Sequence, residues 1–458
     1  MKNRKITQGK FVLAGLLFCS LLCGCEDFLD VDVPKDQIDR EMVFNDEKLS
    51  VAALTNCYNL LISGGFLSGK TNGIGFLMGC YTDELQVTNP NSIFYKNFYE
   101  GSVSASNSAI NDLWSNSYKQ IFTVNNILEG VRSSTALSDE TKNQIIGEAL
   151  AIRGIIHFYL CQTFGKIPYV TTTDYVINKQ IGKQDVESVM IMAVNDLIEA
   201  ENLLTDKYPS AERIRVNKSV VQAFLSRMYL YQENWSMAKF YADQVISKPE
   251  YELDSLQYIF LKESKSAIWQ LKPELNGKNT DAANSFIFQT VPAPVVQLSN
   301  HLLSAFKVGD LRKHEWVRFV GSDAAHVFKY KLNTTTATSK EYLIVIRLEE
   351  MYLISSEASA RLGDIENCYQ KLNILRNRAG LPSLPIASEQ IALSDLLSER
   401  RVELFCEFGH RFYDLKRTGK LSELQNLKVN WQPYFNLLPL PENELLLNAN
   451  LLPQNQGY

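Results

Sequence analysis

A helical hairpin written twice constrains this chain more than any other feature. AFLSRMYLYQENWSMAKFYADQVI runs from Ala223, and YLISSEASARLGDIENCYQKLNIL runs from Tyr352. Each reads as an apolar helix, a short polar corner and a second amphipathic helix. Asn234 and Asp364 open the second helices with side chains that cap exposed backbone N–H groups. Four positions later each has a small residue, Ala238 or Cys368, where two helices must approach closely. Helical spacing dominates elsewhere too. Val189, Ala193, Leu197, Ala200 and Leu204 share one helix face, as do Leu348, Tyr352, Ser355, Ser359 and Leu362. Similar patterns cover roughly 46–62, 111–131 and 139–164.

The two hairpins resemble tetratricopeptide-type repeats, with the usual Leu-Gly and Pro positions only loosely kept. Between the helices lie stretches without clean periodicity. Residues 63–108 are rich in Gly, Asn, Ser and aromatics; residues 262–338 mix Pro, Gly and Asn with short β-like runs such as His326–Leu332. Loops of this length are uncommon unless they are functional or carry small elements of their own. The predicted fold is mostly α, with tetratricopeptide-like helical hairpins packed against a loop-rich region of minor β structure.

The N-terminus states an address. Lys2 to Lys10 is a basic segment and Phe11 to Leu22 an apolar one of 12 residues. A bilayer crossing takes about 20 apolar residues, so residues 1–24 read as a signal peptide. No later run is read as long enough to cross. Leu22-Cys23-Gly24-Cys25 resembles a bacterial lipobox, which makes Cys25 the lipidation site and first mature residue. More than one acyl chain is needed for a stable anchor, and an acylated lipobox cysteine carries that. An ordinary cleaved signal peptide is the competing reading. Residues 1–24 hold four basic residues and no acid, which leaves the rest with 42 Lys and Arg against 51 Asp and Glu. So acidic a chain has no overall footprint for nucleic acid. Cys57, Cys80, Cys161, Cys368 and Cys406 form no C-x-x-C, so they suggest neither a disulfide framework nor a metal site and read as core filler.

SERRVELFCEFGHRFYDLKRTGKL (398–421) closely resembles the signature of the SusD/RagB family of outer-membrane nutrient-binding lipoproteins of Bacteroidetes. RLEEMYLISSEA from Arg347, LNILRNRAGLP from Leu372, FGKIPYV from Phe164 and the ending LLPQNQGY agree, as do FNDEKLSVAALTNCYNLL and LWSNSYKQIFTVNNIL. The resemblance implies a signal peptide at 1–24, an N-terminal region with helical hairpins at 25–250 and a C-terminal region at 251–458, with 25–458 as one compact unit. It implies a protein that sits on the cell surface, anchored in the outer membrane by lipid. There it would cap a SusC-like TonB-dependent transporter and deliver oligosaccharides or, in RagB-type members, peptides. No cofactor, metal or catalysis is implied. Acidic residues behind the lipidated cysteine resemble a surface-export signal, which points to Glu26 and Asp27.

Within the signature, Glu399, Glu403 and Glu407 share a helix face, with His410 and Asp414 close behind. Such a set could serve acid–base or metal chemistry. Arg400, Arg401, Arg411, Lys416 and Arg417 are interleaved with these acids, so a structural ion-pair network is favoured. No H-E-x-x-H or G-x-S-x-G is present, and His157, set among apolar residues, reads as core.

Sugars present apolar C–H faces and rings of hydroxyls, so a site needs exposed aromatics beside short polar side chains. The stretch 80–102 has that composition, and the resemblance implies that Asp83-Glu84 is a recurrent acidic pair in a region from which ligand sites are drawn. Tyr81, Asp83, Asn89, Asn91, Tyr95 and Tyr99 are the candidate contacts. The pairs Phe94/Phe98 and Tyr95/Tyr99 could equally pack inward from a short helix. A second candidate surface spans Trp269 to Trp316, including Phe286 and Phe288, whose rings could equally be β-like core. A lipid-anchored hydrolase and a scaffold that binds only other proteins are the remaining alternatives.

Overall fold

The computed structural model describes residues 40–458. Residues 40–43 open a short helix (Arg40–Phe44) in a unit of their own, and residues 44–458 form the second unit. The second unit is mostly helical. Its long helices are α1 (Glu47–Ser63), α2 (Ser108–Ser133), α3 (Asp139–Phe164), α4 (Val186–Leu203), α5 (Lys218–Tyr231), α6 (Trp235–Ile246), α7 (Leu348–Arg361), α8 (Ile365–Arg378) and α9 (Glu389–Glu403), followed by the shorter α10 (His410–Arg417). Packing follows the chain through α2, α3, α4, α5 and α6, then passes directly to α7, α8 and α9.

The two hairpin corners are built alike. Glu233 and Gly363 take left-handed backbone angles (φ 57° and 83°), which reverses the chain between helices. The next residues, Asn234 and Asp364, donate their N–H groups to Tyr229 O and Ser359 O, at 2.9 Å in both cases. Their side chains accept from Met237 N and Asn367 N. The small residue expected after each cap has a visible cause. Ser226 Oγ donates to Ala238 O at 2.9 Å and Ser356 Oγ to Cys368 O at 2.8 Å, so a hydroxyl of the first helix touches the backbone of the second. The hairpins join through Ser355 Oγ, which donates to Asp243 Oδ1 at 2.6 Å.

α3 is long and apolar enough to cross a membrane by composition, yet 94% of its most apolar stretch is buried inside the protein. It is the central core helix, capped by Ser138 at its start. His157 lies within it, fully buried, and its Nε2 accepts from Val170 N. Cys57, Cys80, Cys161, Cys368 and Cys406 are all free and buried.

The segment between α6 and α7 carries most of the sheet. β1 (Leu85–Val87) pairs antiparallel with β3 (Val296–Leu298), β2 (Ala267–Leu271) with β6 (Leu343–Arg347), and β4 (Val317–Val320) with β5 (Ala324–Val327). β6 runs straight into α7, so the loop-rich region is joined to the second hairpin without a linker.

α3 and α4 pack closely because Gly154 has no side chain. A β-carbon there would lie 2.5 Å from Leu197 Cδ1 and 2.8 Å from Ala193 O. Overpacking of this kind costs about 1–3 kcal/mol, more than the gain of about 1 kcal/mol in helix propensity. Gly154→Ala is therefore expected to lower the urea unfolding midpoint. Unchanged stability would show that the interface has room to spare.

Candidate functional site

The acids of the signature are consumed by ion pairs. Glu403, at the end of α9, is fully buried. It meets Arg312 at 2.9 Å, Arg347 at 2.7 Å and Arg378 at 2.8 Å. Glu399 pairs with Arg312 at 2.6 Å and Arg376 at 3.0 Å. Glu407 pairs with Lys329 at 2.5 Å and Arg347 at 2.9 Å. Burial works against ionising Glu403, but Arg378, Arg347 and Arg312 outweigh it and hold the carboxyl far below its ordinary range.

A second cluster ties α10 to the hairpins. Arg227 pairs with Glu350 at 2.6 Å, Arg400 with Asp414 at 2.7 Å and Arg417 with Glu357 at 2.5 Å. Burial opposes charge on Glu350 and Asp414, yet their arginines bring both carboxyls down to about 2. Burial pushes His410 down to about 4, so it is neutral at pH 7. The acids of the signature are thus bound to cations: Asp414 takes the interleaved Arg400 and Arg417, whereas Glu399, Glu403 and Glu407 are paired by bases from outside the signature, Arg312, Lys329, Arg347, Arg376 and Arg378.

The residues expected to touch ligand divide sharply. Trp269 and Trp316 are 0% exposed. Trp269 packs edge-on to Tyr58 and Phe224. Trp316 donates from Nε1 to Leu256 O and lies under Lys329 and Arg347, 5.1 and 5.9 Å from its ring centre. Phe286 and Phe288 are buried too. The surface expected across Trp269–Trp316 is therefore interior, because these rings pack the β-rich core and cover the cations of the network. Tyr81 is likewise enclosed, by Phe98, Phe412, Trp431 and Phe435, and donates to Phe435 O. Asp83 is buried against Arg401 (2.7 Å) and Arg411 (2.9 Å), so it fastens the signature and offers no carboxylate to a ligand.

The others lie nearer the surface. Tyr95 and Tyr99 are half-buried on the short helix Ile93–Glu100. Tyr95 donates to Thr71 Oγ1 at 2.6 Å, and Lys428 Nζ sits 4.2 Å from the Tyr99 ring centre. Asn91 is exposed, and its N–H donates to Asn89 Oδ1. Cys25, Glu26 and Asp27 lie outside the described residues.

Three distant segments converge here. Thr88 donates from its backbone to Val295 O (3.0 Å) and from its hydroxyl to Ala293 O (2.7 Å), while Asn89 Nδ2 donates to Pro294 O (3.0 Å). The loop 289–295 in turn meets the β4–β5 hairpin, where Phe288, Ala293 and Ala324 pack with Val320. Beyond Val320 the hairpin turns at Gly321, whose φ of 67° a side chain would strain.

The outer part of this hairpin is wet. Phe319 is 47% exposed, and Phe94, on the short helix Ile93–Glu100, is 42% exposed. Beside Phe319 an open groove of about 570 Å³ is lined by Phe328, Arg318, Glu315 and Lys331 among others. Arg318 stacks 4.6 Å from the Phe328 ring centre, and Glu315 is held below its ordinary range because Lys331 and His314 overcome its burial. A flat apolar ring next to fixed donors and a carboxylate suits a ligand with C–H faces and hydroxyls. Phe319 and Phe328 were absent from the sequence-based candidates. The string VRFVGSDAAHVF carries the available signal, two short runs around a Gly-Ser-Asp turn with one ring alternating outward.

Comparisons with known proteins agree along the chain. Residues 27–230 match a family described as "Starch-binding associating with outer membrane", and residues 314–458 match the "SusD family". SusD-like protein P25 of Formosa agariphila is 23% identical, over 95% of this chain and 97% of its own length. A SusD superfamily protein from Bacteroides vulgatus superposes with TM-score 0.78 at 21% identity, covering 90% of this chain and 99% of its own. A laminarin-binding SusD-like protein superposes with TM-score 0.74 at 22% identity, covering 90% of this chain and 100% of its own.

Breaking a buried ion pair by removing one partner costs about 3–5 kcal/mol. Glu403→Gln leaves Arg312, Arg347 and Arg378 short of one negative charge, so denaturant unfolding should show a loss of about that size. Retained stability would contradict a structural role for the signature.

Proposed function

Because the chain belongs to the SusD/RagB family, we propose that it is a glycan-binding lipoprotein of the outer membrane that captures oligosaccharides and catalyses nothing. The observation that carries this reading is the groove beside Phe319, where an exposed ring adjoins Arg318, Glu315 and Lys331. The phenyl face packs against the C–H side of a pyranose, and the charged groups bind hydroxyls with directional hydrogen bonds. Asn91, Tyr95 and Phe94 extend the same loop cluster, with Asn89 and Tyr99 at its margin.

In the same reading residues 1–24 are removed and Cys25 carries the acyl chains. The mature protein is one functional unit displayed on the cell surface. It passes its ligand to a SusC-like TonB-dependent transporter, as the family likeness suggests; a similar protein that binds laminarin supports the sugar as ligand. Peptide capture of the RagB type is the second reading, and the cationic rim of the groove, Arg318 and Lys331, is what favours it.

Loss of one stacking ring is worth about 1.4 kcal/mol, or about tenfold in affinity. Calorimetry of residues 26–458 against a panel of glucans, xylans, mannans and mixed peptides should find a glycan whose affinity falls about tenfold in Phe319→Ala, with melting unchanged because the ring is half exposed. Full affinity in Phe319→Ala would remove the groove from the site, and binding of peptides alone would establish the second reading. Fractionation tests the anchor: Cys25→Ser should move the protein from the membrane to the soluble fraction.

A further inference from the structure

A second open groove lies far from the loop cluster in sequence. It has a volume of about 1080 Å³ and runs between the segment 162–186 and the segment 436–456. Lys166, Lys183 and Lys416 line it, and among the described residues no carboxylate does. The chain as a whole is acidic, with net charge −5. A cationic groove on such a chain is a local arrangement and owes nothing to overall composition.

Neither inner lysine has a counter-charge. Lys416 Nζ donates to Gln162 O at 2.6 Å, and Lys183 Nζ donates to Pro453 O at 2.5 Å. Both partners are neutral carbonyls. Burial pushes Lys416 down to about 8. Burial also lowers Lys183, and the nearby charge of Lys166 lowers it further. Lys166 does have an acid, Asp185 at 2.6 Å, but both side chains are mostly exposed and such pairs are weak. Cations gathered without an anion are costly in a partly buried site, and the cost is relieved when an anion enters. The carboxamides of Gln180, Asn436 and Gln456 also line the groove and make no hydrogen bond with other described side chains or backbone. They supply spare donors and acceptors for neutral hydroxyls.

We propose that this groove binds an anionic sugar unit, a uronic acid carboxylate or a sulfate ester, through Lys183 and Lys416, with the free carboxamides holding the ring hydroxyls. The volume is far more than a bare ion needs and matches the upper end of small-ligand sites, about 300–1,000 Å³. That the ligand is a saccharide rests on the glycan-binding reading above; that it is anionic rests on the lysines. The groove then selects charged glycans, while the Phe319 groove offers a stacking face to sugars of any charge.

The test is calorimetry of residues 26–458 with three oligosaccharides of similar length: oligogalacturonate, which carries carboxylates only, a kappa-carrageenan fragment, which carries sulfate esters and no uronic acid, and a neutral laminarin fragment. The proposal expects at least one anionic fragment to bind. Its affinity should fall about tenfold in Lys183→Ala and again between about 50 and 500 mM salt, since charge attraction is screened. The carboxylate and sulfate arms tell the two anion sources apart. Lys416→Met, checked for folding by its melting curve, should act in the same direction. Equal binding of the neutral fragment at this groove, or anionic binding untouched by both lysine substitutions, overturns the proposal and leaves the glycan-binding reading standing. Binding of no saccharide, charged or neutral, overturns both.

Discussion

The carboxylate of Glu403 is the point on which the architecture depends. It receives Arg312 from just before the β4–β5 hairpin, Arg347 from the end of β6 and Arg378 from the end of α8. A single buried group thus joins the loop-rich region to the second helical hairpin and to α9. Burying these charges is expensive, and the expense is offset only when each one is paired. Lys329 closes the same cluster by donating to Glu403 O and Phe405 O, both at 2.9 Å. Trp316 roofs Lys329 and Arg347, so the network also recruits the aromatic core.

From that junction the rest follows in layers. Helices α2 to α6 form a run in which each packs on the next, and α7 to α9 continue it after the loop-rich segment returns through β6. The hairpin corners keep neighbouring helices close through a serine hydroxyl against a backbone carbonyl. Because the buried charges of the scaffold are already paired with one another, polar groups free to meet a ligand lie at its margins. One margin is the convergence of the loops 88–95 and 289–295 with the β4–β5 hairpin; the other is the lysine groove between 162–186 and 436–456.

The signature acids show how pattern and context interact. Glu399, Glu403 and Glu407 at helical spacing resemble an acid–base site, and only the interleaved bases argue otherwise. The structure adds that several partners are remote: Arg312, Lys329 and Arg347 lie more than fifty residues away in the chain. Asp83, expected at a ligand, serves as a clamp on Arg401 and Arg411 for the same reason. A carboxylate is a poor guide to function until its cations are located.

By itself the sequence determined the helices, the doubled hairpin with its corners at Asn234 and Asp364, the family and the expectation that the signature acids are ion-paired, but not which cations pair with Glu399, Glu403 and Glu407. Those depend on local periodicity, capping and charge spacing, which a linear string records. Which rings meet solvent was decided only by the tertiary structure. Trp269, Trp316 and Tyr81 have the composition of a sugar site but are enclosed, whereas Phe319 stands exposed on the two-stranded β4–β5 hairpin. The lysine groove is equally invisible along the chain, because Lys183, Lys416 and Gln456 come together only when the last residues fold back beside α3. Exposure and proximity are properties of packing between distant segments, and no local rule carries them.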